Sequence, residues 1–68
     1  MKAYHVNKQA QANGDHEVHR EDCHYLPSPA NKQYLGVFNS CEEAVKVAKR
    51  TFPRSNGCIH CSENCHTT

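Results

Sequence analysis

The chain has 68 residues, of which 37% are hydrophobic even when Cys and Tyr are counted, with no Trp and a formal charge of +1. That length excludes more than one domain, and so small a core often supplies only about 3–5 kcal/mol. The near-neutral balance argues against strong nonspecific attraction to nucleic acid, and no stretch approaches the roughly 20 apolar residues of a membrane span.

A chain this short and this polar needs a staple, whether a metal, disulfides or a partner chain. Its five cysteines and six histidines are the candidates. The segment Met1 to Ala10 is polar and holds no apolar run, so no secretory signal is expected. The expected setting is therefore the reducing cytoplasm, where clustered cysteines hold metal more often than they pair. The odd cysteine count also leaves at least one thiol unpaired in any intramolecular disulfide scheme.

In chain order, Ala3 to Lys8 is predicted as a strand, with Tyr4 and Val6 on one face by the two-residue period. Asn13-Gly14-Asp15 is a turn signal, because Asn and Gly tolerate positive φ. His16 to His19 reads as the returning strand of a β-hairpin. Pro27-Ser28-Pro29 interrupts regular structure, and Tyr34 to Phe38 reads as a third short strand. The helix start is the clearest local signal: Ser40 at the N-cap and Glu43 three residues on make a capping box. Glu42 and Glu43 also complement the positive end of the helix dipole. Ala44, Val45, Ala48 and Phe52 form one apolar stripe, and Pro53 is expected to stop the helix. The fold class expected is α+β: a hairpin and a third strand packed on one helix, with a C-terminal Cys-x2-Cys knuckle, all in one domain over residues 1–68.

Cys58-Ile59-His60-Cys61, preceded by Gly57, has the spacing that lets two thiolates face one ion while turn N–H groups donate to sulfur. Tetrahedral zinc needs two more ligands, Cys or His, and His19-x3-Cys23 is the best remaining pair. One ion would then tie two distant segments, supplying on the order of 10 kcal/mol of apparent folding free energy. Other sets remain open. Cys58, Cys61, Cys65 and His66 form a local cluster, though so short a segment strains the backbone and staples only the tail. Cys65 could replace His19, and His16 is a further alternate. On a true strand, however, His16 and His19 point to opposite faces.

The segments His19-Arg-Glu-Asp-Cys23-His-Tyr25-Leu26, Phe38-Asn-Ser40-Cys-Glu-Glu43-Ala44 and Gly57-Cys58-Ile-His-Cys61 together resemble the metal-binding domain of the Ada-type DNA repair proteins and their stand-alone relatives. The resemblance spans roughly residues 16–61 and implies a zinc site built from the His-x3-Cys pair and the knuckle. In that family the first ligand is a cysteine that accepts a methyl group from a DNA phosphotriester. Here the position is His19, which lacks the thiolate nucleophile, so methyl acceptance through it is not expected. The gap between helix and knuckle also differs, and the tail Ser62 to His66 runs past the family's usual end.

Cys41 follows the N-cap, and three readings stand beside one another. It is a small first-turn side chain, a thiol activated by the helix N-terminus, or the partner of Cys65 in a disulfide if their Cα atoms approach within about 7 Å. His5, His24, His60 and His66 are expected as exposed polar residues. Tyr4, Tyr25 and Tyr34 are as readily core residues as base-stacking ones. Lys46, Lys49, Arg50 and Arg54 make a basic patch that suits the helix dipole and could also contact phosphate.

These readings converge on a monomeric, non-enzymatic module with one structural Zn2+, contacting nucleic acid or a protein partner and no membrane. The alternatives are an alkyl acceptor or redox enzyme using a zinc thiolate or Cys41, and a disulfide-stapled domain. Iron in place of zinc is not distinguished by ligand spacing.

Overall fold

Hydrophobic alternation in the first twenty residues produces the expected hairpin. In the computed structural model, which describes residues 1–67, β1 (Lys2–Asn7) pairs antiparallel with β2 (His16–Arg20), setting His5 opposite His19 and Val6 opposite Val18. Gly14 takes φ +91° at the turn, and the Asn13 side chain accepts the Asp15 N–H at 2.9 Å. β3 (Lys32–Phe38) pairs antiparallel with the other side of β1. Its register slips opposite Tyr4 and His5, and this bulge accommodates Leu35, which packs on the core.

A fourth strand, absent from the sequence reading, completes the sheet. β4 (Ser55–Gly57) runs parallel to β2, giving the order β3-β1-β2-β4. Ser, Asn and Gly are poor strand formers. Tertiary pairing overrides that preference: His16 N–H donates to Arg54 O at 2.8 Å and Cys58 N–H to Val18 O at 2.9 Å.

The helix α1 (Cys41–Ala48) begins where the capping box places it. Ser40 Oγ accepts the Glu43 N–H at 3.4 Å, and Glu43 Oε1 accepts the Asn39 N–H at 3.1 Å. Its regular part ends at Ala48 rather than running to Pro53, because three-residue bonds such as Arg50 N–H to Val47 O tighten the last turn. Phe52 still reaches the core. Ala44 and Ala48 are buried against Tyr4, Val6 and Val18, with Val45 and Phe52 packed at the margin. Val6 and Val18 have no exposure, and each contributes roughly 1.5–3 kcal/mol by burial.

The C-terminal tail is clipped to the start of the helix by a disulfide between Cys41 and Cys65, whose Cα atoms are 6.3 Å apart. Of the readings open for Cys41, the disulfide is the one realised, so Cys41 is not a free nucleophile and Cys65 is not a metal ligand.

Candidate metal centre

The two-residue alternation of β2 decides which histidine enters the site. Val18 faces the helix, so His16 shares that side and His19 takes the other. His16 stacks on Phe52 with ring centroids 4.3 Å apart, and its Nδ1 lies 2.9 Å from Asn7 O. It is occupied as a packing residue, not a ligand. His19 is 1% exposed and points into the only group among the described residues suited to a metal: His19, Cys23, Cys58 and Cys61, whose ligand atoms all lie within 4.8 Å of one another. Cys23 follows the end of β2, while Cys58 and Cys61 form the knuckle directly after β4. Cys23 Sγ and Cys58 Sγ are 4.0 Å apart.

Backbone donors converge on the sulfurs. The Arg20 N–H donates to Cys61 Sγ at 3.3 Å and the Tyr25 N–H to Cys23 Sγ at 3.4 Å. The N–H groups of His60 and Cys61 act on Cys58 in the same sense, favouring its thiolate. Burial works in the opposite direction. It pushes the Cys23 thiol up to about 12, with the thiols of Cys61 and Cys58 adding to the rise and the Tyr25 N–H opposing it. Burial also raises Cys58 and lowers His19, which Glu17 partly offsets. Two thiols that resist ionising, Cys23 and Cys58, beside a neutral imidazole are the state expected of a ligand set without its cation. A bound cation reverses the balance by deprotonating coordinating thiols.

The test of fit is His19 itself. Neither of its ring nitrogens has a hydrogen-bond partner although both are buried, an arrangement rare in native interiors unless an ion or water supplies the partner. A four-coordinate metal with metal–sulfur bonds of about 2.3 Å and metal–nitrogen bonds of about 2.0–2.1 Å sets tetrahedral edges of roughly 3.6–3.8 Å. The ligand atoms therefore need contract by no more than about 1 Å, within the reach of side-chain rotation. The residues fit a metal ion.

The other predicted residues fall elsewhere. His66 lies half-buried with Nδ1 3.1 Å from Gly57 O, where it fastens the tail to β4. His24 and His60 are exposed as expected, and His60 stacks on the exposed ring of Tyr25 at 4.1 Å. His5 departs from expectation: it is 6% exposed, because β1 is an inner strand and the ring is covered by Tyr34 at 5.3 Å. Tyr4 is core, whereas Tyr25 and Tyr34 are exposed. Lys46 on the helix and Lys49 and Arg50 just past its end are exposed, but Arg54 is committed to the hairpin turn, donating to Asn13 O at 2.7 Å and pairing with Asp15 at 3.2 Å. Glu17 was not anticipated. Its Oε1 lies 3.5 Å from His19 Nε2, a proximity that the alternation of β2 could have indicated.

Fold and site together define a small α+β domain with a four-residue cluster able to hold one metal ion. No protein-family model matches the chain, and no curated protein or solved structure matches it either. No helix among the described residues is long and apolar enough to cross a membrane.

Proposed function

We propose that the protein is a non-enzymatic binding module held together by one structural zinc ion on His19, Cys23, Cys58 and Cys61. The observation that carries this reading is the buried His19 ring, with neither nitrogen hydrogen-bonded, set among three thiols. Zinc is preferred to iron because Cys3His is a common structural zinc set. Four protein ligands close the site, so no coordination position is left for catalysis. The disulfide reading survives as a second staple rather than a rival: Cys41–Cys65 holds the tail while the metal holds the strands.

The outward role we infer is contact with nucleic acid or a protein partner through a surface away from the metal. The exposed Lys46, Lys49 and Arg50 support it, as does the resemblance to Ada-type zinc domains in the spacing of the ligands and the Ser40 helix start. The monomeric, cytoplasmic setting rests on composition. There the Cys41–Cys65 bond would be open to reduction.

Far-ultraviolet circular dichroism during chelation tests the zinc reading, since metal binding of this kind carries on the order of 10 kcal/mol of apparent folding free energy. Structure should be lost with a strong chelator and regained with one equivalent of zinc. An unchanged spectrum and melting temperature after complete metal removal would count against it.

A further inference from the structure

A metal on His19 satisfies only one of its two ring nitrogens. The other carries the proton and sits in the interior, since neither nitrogen reaches solvent. Glu17 is the group placed to receive it. It lies two residues earlier on β2 and so on the same face. Its side chain is 19% exposed, and its Oε1 stands 3.5 Å from His19 Nε2.

With Nε2 beside the carboxylate, Nδ1 is the ring nitrogen left for the thiols. Cys61 Sγ accepts the Arg20 backbone N–H at 3.3 Å, so one of the three thiols sits against the main chain that follows His19. The ring nitrogen closest to that main chain is Nδ1, whereas Nε2 is at the far edge, beside the carboxylate.

We propose that Glu17 is the positioning carboxylate of the metal centre, accepting the Nε2–H of His19 and thereby presenting the Nδ1 lone pair as the ligand. This rests on the reading that the cluster binds zinc. A carboxylate behind a ligating imidazole fixes its tautomer and orientation and raises its basicity. Closing the 3.5 Å separation to a hydrogen bond of about 2.7–3.2 Å takes only a small rotation of Glu17. The arrangement also explains a charged residue turned toward a fully buried ring on the inner strand β2.

The test combines long-range proton–nitrogen NMR correlation of His19 in the zinc-loaded protein with competition against a chelator, on wild type, Glu17→Gln and Glu17→Leu. The wild type should show a protonated Nε2 and a metal-bound Nδ1. Glu17→Leu should lose about 10- to 100-fold in zinc affinity. Glu17→Gln, whose amide oxygen still accepts, should keep the Nδ1-bound tautomer and recover much of that loss. Ligation through Nε2 in the wild type overturns the proposal without recourse to any variant. So does a Glu17→Leu protein with unchanged affinity and tautomer. A wild type that takes up no zinc overturns the metal centre as well, and that failure is visible before any variant is made.

Discussion

Replacing both Cys41 and Cys65 with Ser removes a bond that closes a loop of sequence separation 24. The chain-entropy relation gives about 12 cal/mol/K for such a loop, or about 3.4 kcal/mol at 25 °C. The loop contains Cys58 and Cys61, but their zinc ligation is a property of the folded state, so the unfolded reference for the loaded protein still gains this freedom. Serine is close to cysteine in size, and the losses on the native side are correspondingly small. Urea unfolding of the zinc-saturated protein, disulfide-intact against double-Ser, reads the difference. With m about 1 kcal/mol/M for a chain of this size, the midpoint should fall by about 3 M. The slope should rise slightly as the denatured chain expands. A stability loss under about 1 kcal/mol would refute the reasoning, because it would mean that the tail is held without the clip.

Gly57 offers a steric counterpart. A Cβ added there would lie 2.6 Å from Cys65 Cβ and 2.7 Å from Ser62 O, groups tied by the disulfide and by the knuckle. Gly57→Ala should therefore cost about 1–3 kcal/mol by overpacking and weaken zinc retention, as calorimetry and chelator competition would show; a neutral result would mean that the tail does not press on β4. The metal-free protein should be most stable between the ordinary pKa of His, 6.5, and that of Cys, 9.0. Burial holds the Cys23 proton up to about 12, so the unfolded chain releases it first and stability falls as pH rises from 9.0 toward that value. Burial lowers His19, so the unfolded chain takes up the proton first and stability falls as pH drops below 6.5. Zinc, by ionising the thiols, should abolish the alkaline loss and steepen the acid one. Melting temperatures across pH, with and without zinc, read both; an alkaline limb unaffected by zinc would contradict the ligand assignment.

The parts legible in the sequence were those set by local chemistry. The Asn13-Gly14-Asp15 turn and the Ser40/Glu43 cap each specify a backbone conformation within a few residues, and both occur where expected. The alternation of β2 by itself separates His19 from His16. Knuckle spacing then limited the partners of Cys58 and Cys61. What was not legible depends on distant segments meeting. β4 has no strand-forming residue and exists because its backbone completes the edge of β2. The Cys41–Cys65 bond requires a Cα approach that spacing cannot supply, and it removes both residues from the roles of nucleophile and alternate ligand. His5 was expected in solvent because nothing local marks β1 as an inner strand, flanked by β2 and β3. Arg54 was grouped with the helix lysines on proximity in sequence, yet the return of the chain to the hairpin turn gives it to Asp15.

The central claim, one metal on His19 and three thiolates beside one disulfide, is tested most directly by native and denaturing mass spectra of protein purified without chelator. The denatured chain should weigh two hydrogens less than the reduced sequence, for the one disulfide. The native ion should add one zinc and lose three protons, one from each of Cys23, Cys58 and Cys61. A native ion without metal, or a denatured chain with a second disulfide drawn from those three cysteines, would contradict the account.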